Sequence, residues 1–113
     1  MRVIAVVDDE QPVRRSMERL LRSAGYAVES FAGGPEFLDW LNGARPACVL
    51  LDGSMPGMDG REVLSRLPAG IPAIVVSGHW TAAEAARCGA AAHFAKPFDP
   101  AQLLNAIAAA VAA

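Results

Sequence analysis

The unbroken apolar runs of this chain constrain its fold more than any other feature, because each stops abruptly on polar residues. Residues 3–7 read Val-Ile-Ala-Val-Val and end at Asp8-Asp9, residues 48–51 read Cys-Val-Leu-Leu and end at Asp52, and residues 71–76 end at Ser77-Gly78-His79. Runs of this length read as strands buried on both faces, the pattern of a parallel sheet covered by helices. The turn formers Gly53, Pro56 and Gly57 follow Asp52 at once, which puts that carboxylate at the rim of the sheet. There it admits two readings, a reactive group or a turn former.

Helical patterns separate the strands. Pro12 suits the first position of a helix whose stripe is Val13, Met17, Leu20, Leu21 and Ala24, with arginines opposite and Gly25 as the stop. Ala27–Phe31 alternates as a half-buried edge strand. Gly34-Pro35 opens a short helix that turns Phe37, Leu38 and Leu41 inward and closes near Gly43. Asp59-Gly60-Arg61-Glu62 has the spacing of an N-cap with a reciprocal acid, with Val63, Leu64 and Leu67 behind it. Thr81-Ala82-Ala83-Glu84 repeats that capping box before an alanine-rich helix ending at Gly89. Residues 90–95 form the fifth strand, and Asp99-Pro100 caps a last helix with Leu103, Leu104, Ile107 and Val111 inward. This (βα)5 alternation predicts an α/β fold, a doubly wound five-stranded parallel sheet. Right-handed crossovers then gather every strand C-terminus at one edge, where ligands bind.

Composition narrows the function classes. A chain of 113 residues, 53% hydrophobic and 19% charged, is read as one domain over residues 1–113. No apolar run approaches the roughly 20 residues of a membrane span, and the N-terminal run is too short for a signal-peptide core, so a cytoplasmic location is expected. The formal net charge of −2 lends no general attraction for nucleic acid, and Arg14, Arg15, Arg19 and Arg22 read as a solvated helix face. Cys48 and Cys88 fall in apolar surroundings and read as packing thiols. Lys96 is the sole lysine beside nine arginines, which singles it out.

The predicted edge collects Asp8 and Asp9 from the first strand, Asp52 from the third, Ser77 from the fourth and Lys96 from the fifth. Each has a bland reading alone, as a turn or cap residue, but topology brings them together. Two carboxylates about 4 Å apart repel by roughly 4 kcal/mol at an effective dielectric near 20, so three need cationic relief. Lys96 supplies part of it. An oxygen-only donor set, with no His or Cys cluster at ligand spacing, favours Mg²⁺ over zinc for the rest. A hard cation, a lysine and a hydroxyl around a carboxylate nucleophile suit phosphoryl transfer onto Asp52.

These motifs, Val6-Val7-Asp8-Asp9-Glu10, Leu51-Asp52 with Met55-Pro56-Gly57-Met58-Asp59-Gly60, Val76-Ser77-Gly78-His79, and Lys96-Pro97-Phe98, resemble those of response-regulator receiver domains of two-component systems, in the style of the FixJ type. The resemblance implies a flavodoxin-like, CheY-like sheet of strand order 2-1-3-4-5. It implies that Asp52 accepts phosphate from a sensor histidine kinase or a phosphotransfer protein. It implies Mg²⁺ held by Asp9 and Asp52 directly, by Asp8 through water, and by the backbone carbonyl of Ser54. Ser77 becomes the switch hydroxyl and Lys96 the phosphate-binding lysine, with a Lys96–Pro97 bond that is often cis in the family. Output would pass through the fourth helix, fifth strand and fifth helix, to an effector or a second copy, without direct contact to nucleic acid or membrane by this domain.

Departures from the family pattern concern that output. His93 stands at the switch position, where a Phe or Tyr is usual, and reads either as a working switch or as an exposed surface residue, with Phe94 packing inward. The stretches between Gly60 and Pro72 and between His79 and Gly89 are each short by about three residues, close to one helical turn. Trp80 sits where small or polar residues are common, open to reading as a lid, a partner anchor or packing. Ala106, Ala109 and Ala110 make the outward side of the last helix uncharged, through helix propensity or a partner. The leading reading is a phospho-accepting receiver that is no enzyme on outside substrates. The alternatives are a phosphate-independent pseudo-receiver and a haloacid-dehalogenase-type phosphohydrolase, whose second acid would stand where Ser54 is. The chain reads equally as a stand-alone receiver or as part of a longer regulator.

Overall fold

The computed structural model describes residues 2–53, 55 and 57–112. Strands and helices alternate along them: β1 Val3–Val7, α1 Gln11–Ser23, β2 Ala27–Phe31, α2 Gly34–Leu41, β3 Cys48–Asp52, α3 Gly60–Ser65, β4 Ala73–Val76, α4 Ala82–Arg87, β5 Ala92–Phe94 and α5 Pro100–Ala112. The strands form one parallel sheet of order β2-β1-β3-β4-β5, as the resemblance implied.

The apolar runs explain the two layers. Successive side chains of a strand point to opposite faces, so β1 sends Ile4 and Val6 one way and Ala5 and Val7 the other. Ile4, Val6, Cys48, Leu50, Ile74 and Val76 pack with Met17 and Leu21 of α1 and Leu103 and Ile107 of α5. Ala5, Val7, Val49, Leu51, Ala73 and Val75 pack with Phe37 of α2, Val63 and Leu64 of α3 and Ala85 of α4. Edge strand β2 is half-buried, as its alternation predicted.

Element ends depart from the sequence reading for local reasons. Helix α1 stops at Ser23, leaving Ala24 as an exposed C-cap instead of a core residue. Strand β4 begins at Ala73 rather than Ile71, after Pro72, which has no N–H for a ladder. Strand β5 spans three residues, not the six expected. Leu67 lies beyond the end of α3 but still packs on the core. Ala106 and Ala110 are half-buried against the core, so of the alanines read as outward only Ala109 is exposed.

The two capping predictions fare differently. Asp59 Oδ1 accepts from the Arg61 and Glu62 N–H groups at 2.9 and 3.2 Å, but the Glu62 carboxylate turns to Arg66 at 2.8 Å instead of closing a box. Thr81 Oγ1 accepts from Glu84 N–H at 3.0 Å and donates to Glu84 Oε1 at 3.3 Å. Cys48 is fully buried, which pushes its thiol up to about 12 and keeps it protonated, and Cys88 packs on the core; both are free, as read. No helix among the described residues is long and apolar enough to cross a membrane.

Candidate functional site at the strand C-termini

Strand order reverses around β1, and the residues of interest lie at that switch point. Register accounts for their convergence. Val7 pairs with Leu51, so Asp8 and Asp52 leave adjacent strands side by side, and Asp52 pairs with Val76, directly before Ser77. At two-residue spacing Asp8 follows Val6, Asp52 follows Leu50 and Lys96 follows Phe94, all on the α1/α5 side of the sheet. Their side chains meet accordingly. Lys96 Nζ lies 3.7 Å from Asp8 Oδ2 and 3.8 Å from Asp52 Oδ1, one ammonium shared between two carboxylates. Asp8, Asp52 and Ser77 are 4%, 6% and 1% exposed, so these polar groups are withdrawn from bulk solvent.

Backbone contacts hold the acids in place. The Asp8 N–H donates to the Phe31 carbonyl at 3.1 Å, Asp8 Oδ1 accepts from the Glu10 N–H at 2.9 Å, and Arg14 Nη1 donates to the Asp8 carbonyl at 2.7 Å. Burial raises the Asp8 pKa above the ordinary value, opposed by the Glu10 N–H and Lys96 and reinforced by the charges of Asp9 and Glu10. Ser77 is anchored by its N–H on the Phe94 carbonyl at 3.0 Å, and its Oγ accepts from the His79 N–H at 3.1 Å. Glu10, Asp52, Ser77, Gly78, His79 and Lys96 line a cleft of about 280 Å³.

A hard cation fits the acidic corner. Asp8, Asp9 and Glu10 can bring one carboxylate oxygen each within 4.8 Å of one another, an oxygen donor set of the kind Mg²⁺ prefers. A bound cation would also offset the charge that burial penalises at Asp8. Glu10 was not among the sequence candidates for this group. Its adjacency to Asp8-Asp9 was the available signal, and the tight turn at Asp8 supplies the reason it comes close. Asp52 lies outside that trio and shares the Lys96 ammonium with Asp8. Ser54, the remaining expected ligand, lies outside the described residues.

Burial narrows the readings left open for His93 and Trp80. His93 is half-buried, not a surface residue, and its Nε2 is buried without a hydrogen-bond partner among the described residues. Phe94, its neighbour, packs on the α1/α5 core as expected. Trp80 is 5% exposed and belongs to the α2/α3/α4 core, so of its three readings packing is the one seen. The Lys96–Pro97 peptide is cis.

Comparison with known proteins agrees with this geometry. The sequence profile described as response regulator receiver domain matches residues 4–108. The chain is 39% identical over 115 residues to the response regulator protein TodT of Pseudomonas putida strain F1, covering 96% of this chain and 51% of that protein. It is 39% identical over 114 residues to the transcriptional regulatory protein FixJ of Bradyrhizobium diazoefficiens, covering 96% of this chain and 56% of that one. It thus spans about half the length of these two relatives. The crystal structure of a response regulator receiver protein from Burkholderia phymatum superposes with a TM-score of 0.89 at 39% identity, covering 99% of this chain and 96% of that one. A parallel sheet of order 2-1-3-4-5, an acidic corner facing a lysine, and likeness of fold and sequence along nearly the whole chain lead to one conclusion: the chain belongs to the response-regulator receiver domains of two-component systems.

Proposed function

We propose that this receiver accepts a phosphoryl group on Asp52 from the phosphohistidine of a sensor histidine kinase or phosphotransfer protein. The observation that carries the reading is the single ammonium of Lys96 within 4 Å of both Asp8 and Asp52, beside a cleft that also holds Ser77. An Asp52 carboxylate oxygen forms the new O–P bond while the N–P bond of the donor imidazole breaks, and the imidazole nitrogen leaves with the electron pair and takes a proton. Lys96 lowers the cost of the added negative charge, and the Ser77 hydroxyl donates to a phosphoryl oxygen. Asp8, Asp9 and Asp52, with the Ser54 carbonyl the resemblance implies, are the residues we assign to Mg²⁺, and Glu10 stands within reach of the same group. When bound, the cation supplies charge neutralisation on the phosphoryl oxygens. The protein acts on itself and turns over no outside substrate.

The output we assign to the surface of α4, β5 and α5, with His93 in the switch position of β5, toward an effector or a second copy of the chain. A cytoplasmic setting follows from a kinase partner. The test is incubation with Mg²⁺ and acetyl phosphate, read by intact mass. One phosphoryl increment in the wild type, absent in Asp52→Asn, supports the proposal. No increment, with no NMR shift on adding beryllofluoride, favours a phosphate-independent interaction module. Sustained turnover of small phosphate esters favours a hydrolase.

A further inference from the structure

The β3 ladder ends at the Asp52–Val76 pair, so the sheet offers little to hold the peptide that follows the acceptor. The Gly53 N–H reaches the Val76 carbonyl only at 3.4 Å. The carbonyl at the other end of Gly53 is tied from outside the sheet: the Trp80 indole N–H donates to it at 3.1 Å, in a buried setting. A buried indole N–H needs an acceptor, and removing that partner leaves a polar group unsatisfied. The ring is closely fitted to its place. A Cβ on Gly53 would stand 2.8 Å from Trp80 Nε1 and 2.9 Å from Ser77 Cβ, and one on Gly60 would stand 3.3 Å from Trp80 Cζ2. Only glycine permits this approach of backbone and ring.

A charged strut backs the indole. The Arg61 guanidinium of α3 lies 4.6 Å from the Trp80 ring centroid, and its Nη2 is 2.7 Å from Glu84 Oε2 of α4. That hydrogen bond is the leading reason the Glu84 pKa lies below its ordinary value. Arg61 therefore presses on the ring from one side while Glu84 fixes Arg61, and the cation–ring contact adds attraction of its own. Trp80 also lies three residues after Ser77, so one short segment carries both the hydroxyl and the tether.

We propose that Trp80 is a positioning residue for Asp52: its indole N–H holds the Gly53 carbonyl, fixing the turn that follows the acceptor and with it the direction in which the acceptor carboxylate faces the cleft. The Arg61–Glu84 pair holds the indole for that purpose. This rests on Asp52 being the acceptor.

The test compares rates of phosphoryl-adduct formation from acetyl phosphate at saturating Mg²⁺, by mass, in wild type, Trp80→Phe and Trp40→Phe. Phenylalanine keeps a ring but removes the N–H. Trp40 of α2, packed against Phe31 and Phe37, controls for the loss of an indole elsewhere. Trp80→Phe should be slower by about fivefold to tenfold, the scale of one hydrogen bond, with Trp40→Phe within about twofold of wild type. In the wild type the Trp80 indole N–H should be protected from hydrogen exchange and should shift with beryllofluoride and Mg²⁺. A wild-type rate in a folded Trp80→Phe overturns the inference alone. No adduct in wild type overturns the acceptor reading and the inference with it. Should Trp80→Phe fail to fold, Arg61→Met, at a half-exposed site, decides: faster indole exchange together with slower adduct formation supports the assignment, and either rate left unchanged overturns it.

Discussion

Asp8 is the residue whose state departs most from what its sequence position suggests. Asp8 and Asp9 are adjacent acids in the sequence, yet Asp8 is buried and Asp9 exposed. Burial is the leading reason the Asp8 pKa is raised from 3.8, ahead of the repulsion from Asp9 and Glu10. An acid whose pKa is higher in the folded than in the unfolded chain binds more protons when folded. Stability without metal therefore falls as pH rises from about 4 toward neutrality, and the acid contributes most below its unfolded value. Asp8→Asn should remove that slope. In chelator its melting temperature should exceed that of wild type at pH 7 and converge on it near pH 4. Asparagine can keep the bond from the Glu10 N–H, and Lys96 keeps Asp52. A metal-free Asp8→Asn that melts below wild type at pH 7 would refute this account of the corner. His93 carries a parallel lesson: its sequence position left a surface histidine and a switch both open, and the structure shows it paired with Val75 in β5 with a buried Nε2 that has no hydrogen-bond partner among the described residues.

At the scale of elements, strand and helix types were legible and their ends were not. Five apolar or alternating segments announced β1 to β5, but β4 starts after Pro72, and β5 starts at Ala92, after the Ala90 N–H has gone to the Ala85 carbonyl. Asp59 was legible as a cap, whereas the choice of Glu62 between its own N-cap and Arg66 was not, because both partners lie within one turn. Helices α3 and α4 are six residues each, less than two turns. Such helices are held by packing and caps more than by propensity. Gly34, the first residue of α2, shows how closely α2 and α3 approach. A Cβ there would stand 2.8 Å from both Met58 Sδ and Val63 Cγ2. The sequence marked Gly34 only as half of a turn signal beside Pro35; the contact that requires glycine is tertiary. Gly34→Ala should destabilise the fold by about 1–3 kcal/mol through overpacking, measured by urea unfolding, even though alanine is the better helix former. A neutral or stabilising result would mean that α2 shifts freely, contrary to its fit against Met58 and Val63.

Over the whole molecule, one topological fact carries the function: a parallel sheet whose order reverses beside β1 delivers Asp8, Asp52, Ser77 and Lys96 to one rim. That much could be read from where the apolar runs stop. The Trp80–Gly53 bond could not, since it depends on how the turns close after β3 and β4 end, and Glu10 was signalled only by its adjacency to Asp8-Asp9. The same topology couples the acidic corner to global unfolding, because Asp52 comes from β3 while Asp8, Asp9 and Glu10 follow β1, and the unfolded chain separates Asp52 from that trio. A cation that binds only the folded chain then stabilises all of it. Mg²⁺ at about one hundred times its dissociation constant should add about 2.7 kcal/mol, roughly 10 °C in melting temperature for a domain of this size. Asp9→Asn should lose most of that gain. Asp9 is exposed, so its removal should leave the chelator-treated protein as stable as wild type or more so, with one repulsive charge fewer beside Asp8 and Glu10. Differential scanning calorimetry in Mg²⁺ and in chelator reads both effects. A wild type indifferent to Mg²⁺, or an Asp9→Asn variant that keeps the full shift, would place the cation elsewhere or remove it from the mechanism. A variant less stable without metal would show that Asp9 serves the fold and not the ion.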